Sequence, residues 1–209
     1  ILLIEDGSTD NTYELLKDNF LDFKNSKIIQ HDKNKNLNGF LSTVIENCDT
    51  DLVVFLDSDC TFDPIYISEM LNFLGPDVDI INGSPYHPEG DIEGVKKGRL
   101  LISNTANAFY KLLVDKNIYT YTSIFKMYRT SKIRNIILET KGFVAVTELF
   151  VKCILNGANV KEFPCILKIR KFGDSKIHIL NSTKNHLLFM YKLIIKNTLW
   201  IIIKNNFGT

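Results

Sequence analysis

Residues 52–61 of the chain read Leu-Val-Val-Phe-Leu-Asp-Ser-Asp-Cys-Thr. The apolar run, rich in branched and aromatic residues, predicts a strand that is buried on both faces, as in a parallel sheet. It stops at two carboxylates, Asp57 and Asp59, which therefore lie at the carboxyl end of that strand. Ligands bind at this edge of open α/β sheets, and two carboxylates there suit a divalent cation that also holds phosphate oxygens.

The same residues have two other interpretations. The first is a polar strand-to-helix loop, in which Asp63 and Pro64 open the next helix. The second is a haloacid-dehalogenase-type phosphatase, in which the first aspartate is the nucleophile and the second a general acid. That fold needs a second acidic pair downstream, and the two later Gly-Asp pairs, at 90–91 and 173–174, lack the additional Asp. The phosphatase interpretation is therefore disfavoured.

Composition limits the class of protein. The 209 residues, of which 45% are hydrophobic, are enough for one domain with a substantial core. The formal net charge of +1 gives no reason to expect nucleic acid as a partner. The four cysteines have neither zinc-ligand nor disulfide-framework spacing, which favours reduced thiols and a cytoplasmic setting. We see no secretory signal and no apolar run of roughly 18 residues, so we expect no membrane crossing.

The hydrophobic pattern predicts alternating strands and helices. Strands are predicted at 1–5, 26–31, 51–57, 78–82, 119–129 and 160–169. Helices are predicted at about 12–23, 38–48, 64–74, 93–114, 146–155 and 185–204. Strands separated by helices of this length form right-handed βαβ units. The predicted fold class is α/β, with a Rossmann-like, mostly parallel sheet flanked by helices and a C-terminal amphipathic helix.

Two polar segments are candidates for ligand binding. Residues 6–12 hold more polar groups than one helix cap requires, and Asp6 is placed to accept hydrogen bonds from a base or ribose. Residues 170–176 carry Arg170, Lys171 and Lys176 around a glycine, which suits either a phosphate clamp or a solvated basic loop.

The C-terminal segment has a wide apolar side interrupted by Lys192, Lys196 and Lys204. These lysines lie close to one face of a helix. Such a helix suits the interface of an anionic membrane, and it equally suits packing on the sheet or on transmembrane segments.

Taken in order, the motifs resemble glycosyltransferase family 2, enzymes of GT-A fold, and most closely its dolichol-phosphate mannosyltransferase-like branch. The motifs that carry the resemblance are residues 5–12 (Glu-Asp-Gly-Ser-Thr-Asp-Asn-Thr), Asn38-Gly39, Asp57-Ser58-Asp59, Gly83-Ser84, Arg99 with Ser103, residues 122–129 (Thr-Ser-Ile-Phe-Lys-Met-Tyr-Arg), Glu162-Phe163-Pro164 and residues 170–176.

The resemblance implies an inverting, metal-dependent transfer of a sugar from a nucleotide diphosphate sugar, with Mg²⁺ or Mn²⁺ as the cofactor. Asp57, Asp59 and Thr61 are the candidate metal-binding residues. Asp59, Arg170, Lys176 and Glu148 are the candidate catalytic residues. The candidate residues for binding the nucleotide sugar are Glu5, Asp6, Ser8, Asp10, Asn38, Gly39, Ser58, Arg99 and Arg129.

The acceptor follows from acid–base chemistry. A hydroxyl acceptor needs a general base, for which Glu148 is the candidate, whereas a phosphate monoester is already ionised and needs only cations to position it. The basic loop at 170–176 favours a polyprenyl or dolichyl phosphate at the cytoplasmic membrane face. The alternatives are transfer to a sugar hydroxyl in cell-wall or polysaccharide synthesis, and a catalytically inactive fragment that binds the nucleotide sugar.

Three departures from the family pattern stand out. The family begins with a strand that ends in a Pro-x-x-Asn-Glu type motif, whereas this chain begins at the second strand. Residues 1–180 are therefore predicted to be a catalytic domain without its first strand–helix unit, and 181–209 the C-terminal helix. Apolar side chains at 1–4 would then be covered by a second copy or a membrane subunit. Pro85 and Lys126 stand where relatives often have Arg, and Lys lacks the bidentate fork.

Overall fold

The structure is a computed structural model that describes residues 1–95, 97–170 and 179–207, without the side chains of Lys97, Arg99, Ile179 and 196–207. Strands and helices alternate along most of the chain. The strands are β1 (Leu2–Glu5), β2 (Lys27–Gln30), β3 (Leu52–Phe55), β4 (Ile80–Ser84), β5 (Asp91–Ile92), β6 (Lys126–Arg129), β7 (Val160–Pro164) and β8 (Ile166–Leu167). The helices are α1 (Thr12–Phe20), α2 (Asn36–Asn47), α3 (Tyr66–Phe73), α4 (Lys97–Leu113), α5 (Thr130–Ile133), α6 (Val144–Leu155) and α7 (Ile179–Phe207).

The central sheet has four strands in the order β3-β6-β4-β7. β6 runs antiparallel to both β3 and β4, and β7 runs parallel to β4. The strands β3, β4 and β7 therefore point the same way. Their carboxyl ends meet the start of β6 at one edge of the sheet. This edge carries the loop with Asp57 and the end of β4 at Gly83 and Ser84.

Two further pairs complete the described strands. β1 and β2 form a parallel pair linked by α1, as a βαβ crossover requires, and β5 pairs in parallel with β8. Within the described residues, β1 pairs only with β2, and β3 only with β6. Leu2 and Ile4 of β1 pack against the same core cluster as Val53 of β3, which holds the first pair against the main sheet.

The two faces of the sheet bury separate apolar clusters. Phe55, Ile80 and Tyr128 belong to the larger cluster, which α2, α4, α6 and α7 cover. Ile81, Met127 and Phe163 alternate with them and face the smaller cluster, which α3 covers. This alternation is the period-two pattern of a strand buried on both faces. The α/β class predicted from the sequence is confirmed.

Some boundaries differ from the predicted ones. Only Lys126–Arg129 of the predicted strand at 119–129 is a strand, because the preceding residues bond to other parts of the chain instead of a ladder. The Tyr121 N–H, for example, donates to the side chain of Asn107 at 2.9 Å. The predicted strand at 160–169 divides into β7 and β8 at Cys165. The short helix α5 was not predicted.

Helix α7 is the longest helix of the described chain, with 29 residues. It begins at Ile179, before the predicted start at 185. None of the helices in the described ranges is both long and apolar enough to span a bilayer.

Candidate active site

The Asp57 loop leaves β3 at the carboxyl edge of the sheet. Below it, Phe62 stacks on Phe125 with ring centroids 4.9 Å apart, which fixes the end of the loop to the strand that enters β6. Cys60 has φ 56°, in the left-handed region that non-glycine residues seldom adopt. In the turn before Cys60, Ser58 is exposed, whereas Asp57 and Asp59 on either side of it are partly buried.

Arg170 binds Asp59. The Nε and Nη2 of Arg170 donate to Asp59 Oδ2 at 3.1 and 2.6 Å, and both side chains are partly buried. The backbone delivers Arg170 to this position because the Lys168 N–H donates to the Thr61 carbonyl at 2.8 Å. The other oxygen of Asp59 accepts the Thr61 N–H at 3.1 Å. The sequence predicted both residues for one site, and the structure brings them together.

The environment of Asp57 differs from that of Asp59. Burial raises the pKa of Asp57, the charge of Asp59 raises it further, and the charge of Arg170 lowers it. No described residue donates a hydrogen bond to the Asp57 carboxylate. Asp57 is therefore a partly buried carboxylate beside a second one, which is the electrostatic situation that a bound cation relieves.

A divalent cation fits this donor set if a diphosphate supplies part of its ligands. Within the described residues no group of three or more His, Cys, Asp and Glu side chains could hold a metal ion. The protein thus offers two carboxylates, and Thr61 contributes backbone groups that position Asp59. Mg²⁺ is commonly bound in this way, by one or two carboxylates together with waters and substrate phosphates. The two carboxylates therefore suit a cation that binds together with a diphosphate.

The loop after β1 is held by contacts within the protein. Asp6 Oδ1 lies 2.7 Å from His31 Nδ1 and accepts the Lys35 N–H at 2.8 Å. The other nitrogen of the buried His31 lies 2.8 Å from the Thr43 hydroxyl. Gly7 has φ +69°, and a Cβ there would lie 2.4 Å from the Asn34 nitrogen. The loops after β1 and β2 are therefore locked together, with Asp6 at their junction.

Four other candidates near these loops make contacts within the protein. The buried Glu5 accepts the Ser8 N–H, and although burial raises its pKa, hydrogen bonds from Ser8 outweigh this and hold the pKa below its usual value. Asp10 accepts hydrogen bonds from the N–H and hydroxyl of Thr12 at the start of α1. Asn38 donates to the Thr140 carbonyl at 2.6 Å. The contacts of Glu5, Ser8 and Asp10 shape the loop after β1, and the contact of Asn38 ties α2 to the chain at residue 140.

Gly39 lies within α2. A Cβ at this position would come 2.2 Å from the Lys35 Cβ. The close approach explains a glycine here without a ligand.

A buried polar row crosses the sheet next to the site. Asn82 of β4 is paired in register with Lys126 of β6 and with Glu162 of β7. The Asn82 Nδ2 donates to Glu162 Oε1 at 2.7 Å, and Lys126 donates to the Ser123 carbonyl. Asn82 Oδ1 and Glu162 Oε2 are buried without a hydrogen-bond partner in the protein.

Lys126 is fully buried, 4.7 Å above the ring of Phe150. Burial lowers its pKa to about 7, against the opposing charges of Glu162 and Cys165. From the sequence, Lys126 was only a departure from the family pattern, and neither Asn82 nor Glu162 was predicted to lie in the site. The detectable signal was a lysine in the middle of the apolar strand at 124–128.

Two candidates lie outside this cluster. Arg129 pairs in register with Leu52, at the opposite end of β3 from Asp57, and its guanidinium donates to the carbonyls of Val78 and Gly75 at 2.8 and 3.0 Å. Arg129 therefore fastens the start of β4, and the structure does not bring it to the Asp57 loop.

Glu148 is buried in α6 and saturated with donors. Its carboxylate accepts the backbone N–H groups of Glu139 and Thr140, the hydroxyl of Thr140 and, at 2.7 Å, the ammonium of Lys152. Burial raises the pKa of Glu148, but the hydrogen bonds from Lys152 and Thr140 outweigh it and lower the pKa overall. A carboxylate held in this way is a poor proton acceptor.

Lys176 and the rest of the basic loop after Arg170 lie outside the described residues, as does the side chain of Arg99. Their predicted roles therefore stay predictions. Ser103, one turn after Arg99 in α4, lies 3.0 Å from the hydroxyl of Thr122, which ties α4 to the segment before β6.

Comparison with known proteins places this geometry in context. The profile of the family described as Glycosyl transferase family 2 matches residues 1–137. The polyprenol monophosphomannose synthase of Mycolicibacterium smegmatis is 28% identical over 186 residues, covering 85% of this chain and 69% of that protein. The undecaprenyl-phosphate mannosyltransferase of Micrococcus luteus is 24% identical over 130 residues, covering 61% of this chain and 53% of that protein.

Solved structures show the same fold. The glucosyl-3-phosphoglycerate synthase of Mycobacterium tuberculosis in complex with uridine diphosphate superposes with a TM-score of 0.66 at 11% identity, over 92% of this chain and 68% of that chain. Its complex with Mg²⁺ and uridine diphosphate gives a TM-score of 0.65 at 12% identity, over 90% and 67% of the two chains. The complex with Mn²⁺, uridine diphosphate and glucosyl-3-phosphoglycerate gives 0.62 at 13% identity, over 90% and 67%.

Proposed function

The chain belongs to glycosyltransferase family 2, and from that premise we propose that it transfers a sugar from a nucleotide diphosphate sugar to the phosphate of a polyprenyl or dolichyl phosphate. The family match confirms the predicted enzyme class, a glycosyltransferase, and the structural neighbours confirm the GT-A fold. The donor, the acceptor, the metal and the location belong to the proposal.

The contact between Arg170 and Asp59 beside Asp57 carries the proposal. Cleavage of a bond from sugar to diphosphate leaves negative charge on the departing diphosphate, and preorganised cations are the means of stabilising it. Arg170 presents a guanidinium at the sheet edge, held by Asp59 at 2.6 Å, so its orientation is fixed before the donor binds. Lys176, six residues further on, is the second cation that the proposal assigns to phosphate.

Asp57 and Asp59 would hold a Mg²⁺ or Mn²⁺ ion, which supplies positive charge to the diphosphate when it is bound. The chain's own residues do the remaining work. In this proposal the nucleotide binds beside Asp6, which His31 and the Lys35 N–H hold in place, and the diphosphate binds beside Asp57 and Asp59. Transfer with inversion follows if the acceptor attacks the sugar from the face opposite the diphosphate.

Glu148 has no oxygen available to accept a proton, and this bears on the chemical class of the acceptor. An ionised phosphate can attack without a general base, whereas a hydroxyl needs one. Glu148 was the predicted base, and its oxygens are taken by Lys152, Thr140 and Glu139. The two curated relatives, whose names contain polyprenol and undecaprenyl phosphate, support a phosphate acceptor. Mannose, which both names also contain, is the sugar to test first.

A lipid acceptor places the reaction at a membrane surface. We propose that residues 1–180 form the catalytic domain and 181–209 a helix at the cytoplasmic face of the membrane. Helix α7 buries Phe189, Met190 and Leu193 and exposes further apolar residues elsewhere on its surface, and this exposed apolar surface supports the placement.

Acceptor competition tests the proposal. Wild-type protein is given labelled nucleotide diphosphate sugars, mannose and glucose donors included, with one of three acceptors: a polyprenyl phosphate, the matching polyprenol, or a soluble sugar alcohol. We expect label to enter only the polyprenyl phosphate. Label in the sugar alcohol, with none in the lipid phosphate, would show that the acceptor is a hydroxyl. Donor binding without transfer to any acceptor would indicate a binding module.

A further inference from the structure

The chain that enters β6, residues 120–125, is held in place by side chains from other elements. The Thr120 carbonyl accepts a hydrogen bond from Asn82 Nδ2 at 2.7 Å. The hydroxyl of Thr122 lies 3.0 Å from that of Ser103 in α4. We call residues 120–125 the support segment, because its far end contacts the active site.

Phe125 connects the support segment to the site. Its ring stacks on that of Phe62 at 4.9 Å, and its carbonyl accepts the Gly83 N–H at 3.0 Å. Phe62 directly follows Thr61, whose N–H donates to the carboxylate of Asp59. The position of Phe125 therefore restricts where the loop that carries Asp59 can lie.

Lys126 closes the turn that orients Phe125. Its ammonium donates to the carbonyl of Ser123, and the Phe125 N–H donates to the hydroxyl of the same serine at 3.1 Å. Within the described residues, the Ser123 carbonyl is the only hydrogen-bond acceptor that the ammonium reaches. A charged donor makes a stronger hydrogen bond than a neutral amine. The charge of Lys126 therefore decides how firmly this turn is held.

Opposing effects act on that charge. Lys126 is fully buried, which favours the neutral amine. The ring of Phe150 and the charges of Glu162 and Cys165 favour the ammonium, as does the buried Asn82 Oδ1, which has no hydrogen-bond partner in the protein. Burial outweighs the charges and lowers the pKa of Lys126 to about 7.

The elements that pack around Lys126 bring little further charge within the described chain. Phe55 of β3 and Asn82 of β4 flank it in the sheet, and neither titrates. Helix α6 covers it with an aromatic ring, while Glu148 and Lys152 of that helix pair with each other at 2.7 Å. The lysine thus gains or loses its proton close to neutral pH without a dedicated counter-ion.

We propose that Lys126 is a positioning residue for sugar transfer, which holds the support segment, and through it the Asp57 loop, in the arrangement that binds the metal and the diphosphate. Lys126 touches none of the proposed ligands and acts through Ser123 and Phe125. The proposal rests on the proposed function, because it assigns the Asp57 loop to donor binding. The ammonium form makes the stronger bond, so donor binding should weaken as pH rises above about 7.

The pH dependence of kcat/KM for the nucleotide sugar tests the proposal, in wild type, Lys126→Met and Lys126→Arg. Methionine removes the donor, whereas arginine stays charged at every pH of the assay. Wild type should exceed Lys126→Met about tenfold at about pH 6 and approach it at about pH 8.5, because a hydrogen bond from a charged donor commonly changes an equilibrium by that factor or more. The ratio of wild type to Lys126→Arg should fall over the same range.

Ratios at each pH cancel the titration of the acceptor phosphate and of Asp57, which all three proteins share. Lys161→Met is the matched control, because its ammonium also lies 4.7 Å above an aromatic ring, that of Phe73, but on an exposed residue of β7. Its pH profile should equal that of wild type. Ratios that are constant with pH would overturn the proposal, since a purely structural lysine changes the rate equally at every pH. Circular dichroism confirms that each variant is folded.

Amide hydrogen exchange without any substrate separates this proposal from the proposed function. At about pH 6.5, where the ammonium predominates, residues 57–62 should exchange faster in Lys126→Met than in wild type, with equal exchange in α2. In wild type alone, exchange at 57–62 relative to α2 should quicken between about pH 6.5 and about pH 8.5, after correction for the intrinsic effect of pH. This second comparison needs no variant to fold.

The two proposals fail in different ways. If the proposed reaction is wrong, none of the proteins transfers sugar, while the difference in exchange at residues 57–62 remains. If Lys126 does not position the loop, exchange at 57–62 is the same in wild type and Lys126→Met at both pH values, and transfer proceeds with ratios that do not vary with pH.

Discussion

Arg170 donates from both Nε and Nη2 to one oxygen of Asp59, at 3.1 and 2.6 Å, while the other oxygen of Asp59 accepts the Thr61 N–H. Asp59 is thereby satisfied by the protein, and Asp57 is the carboxylate without a hydrogen bond from the described residues. Binding of a cation together with a diphosphate would change this arrangement, because Arg170 would gain phosphate oxygens as partners and Asp59 would gain the cation.

Replacing Arg170 with Ala should therefore change two affinities in opposite directions. Binding of the nucleotide diphosphate should weaken at least about tenfold, since a hydrogen-bonded charge contributes about 1.5–3 kcal/mol. Binding of Mn²⁺ alone should tighten, because the competing guanidinium is gone and the repulsion between Asp57 and Asp59 is uncompensated. Calorimetric titration measures both, with Arg134→Ala as the exposed, distant control. A loss of affinity for both the nucleotide diphosphate and Mn²⁺ would contradict the claim that Arg170 competes with the cation for Asp59.

Lys126 should make stability depend on pH in a narrow window. Its pKa is lowered by burial from 10.5 to about 7. Between these values the unfolded chain holds the proton and the folded chain does not, so a rise in pH favours the folded state. The free energy of unfolding should rise by up to about 1.4 kcal/mol per pH unit.

Urea denaturation at about pH 7.5 and about pH 8.5 measures this slope. Burial raises the pKa of both Cys153 and Cys165 to about 12, so ionisation of these thiols in the unfolded chain acts in the opposite sense and reduces the slope toward about pH 8.5. The difference in slope between wild type and Lys126→Met, which keeps both cysteines, isolates the contribution of the lysine. Lys126→Met should flatten the slope. Equal slopes for wild type and Lys126→Met would mean that Asn82, Glu162 and the Phe150 ring stabilise the buried ammonium fully.

Glu148 should contribute to the free energy of unfolding and have little effect on the rate of sugar transfer. Glu148→Gln removes the charge that pairs with Lys152 and weakens the bonds from Thr140, so we expect a loss of about 2 kcal/mol in the free energy of unfolding. Because the pKa of Glu148 is lowered in the folded state, its stabilisation is present above the ordinary glutamate pKa and is lost as pH falls through the folded value. The rate of sugar transfer per folded molecule of Glu148→Gln should equal that of the wild type.

The matched control for this variant is Glu139→Gln, at an exposed carboxylate that also contacts Lys152. It should change stability by less than Glu148→Gln does. A large fall in the transfer rate of fully folded Glu148→Gln protein would restore Glu148 as a general base.

Gly83 should not tolerate a side chain. A Cβ there would lie 2.4 Å from the Phe125 ring and 2.7 Å from the Phe125 carbonyl, so Gly83→Ala forces apart β4 and the strand entry that supports the Asp57 loop. We expect a loss of about 2 kcal/mol or more. Gly98→Ala is the control, because α4 leaves open space at that position and alanine is the better helix former, by at most about 1 kcal/mol near a helix end. The midpoint temperature of thermal unfolding should fall for Gly83→Ala and rise for Gly98→Ala.

The fold was largely predictable because its strands and helices follow regular patterns. The run at 52–56 and the two aspartates after it located β3 and the site edge, and Arg170 was assigned to the same site through the resemblance. The strand that contains Lys126 shows where the alternating pattern of polar and apolar residues fails to predict the structure. The alternation at 119–129 predicted one long strand, whereas Tyr121 bonds to Asn107 and only the last four residues join the sheet.

Long-range hydrogen bonds account for the other differences. Arg129 ends a strand with a cation, which resembles a ligand site, but only the register with Leu52 places it at the opposite end of β3. Apart from Lys152, the donors around Glu148 come from the chain at 139–140, which the sequence does not place near α6. Asn82 and Glu162 meet Lys126 only because β4 lies between β6 and β7 in the sheet.

The most direct measurement is the initial rate of sugar transfer to polyprenyl phosphate by wild-type protein and by Asp57→Asn/Asp59→Asn, each with Mn²⁺ and with EDTA. The control is Asp63→Asn, whose aspartate bonds only to the nearby Ile65 N–H among described residues. We predict a rate in Mn²⁺ that falls at least about a hundredfold in EDTA and in the double variant, with unchanged folding. Transfer that is insensitive to EDTA and to loss of both carboxylates would contradict the assignment of this site.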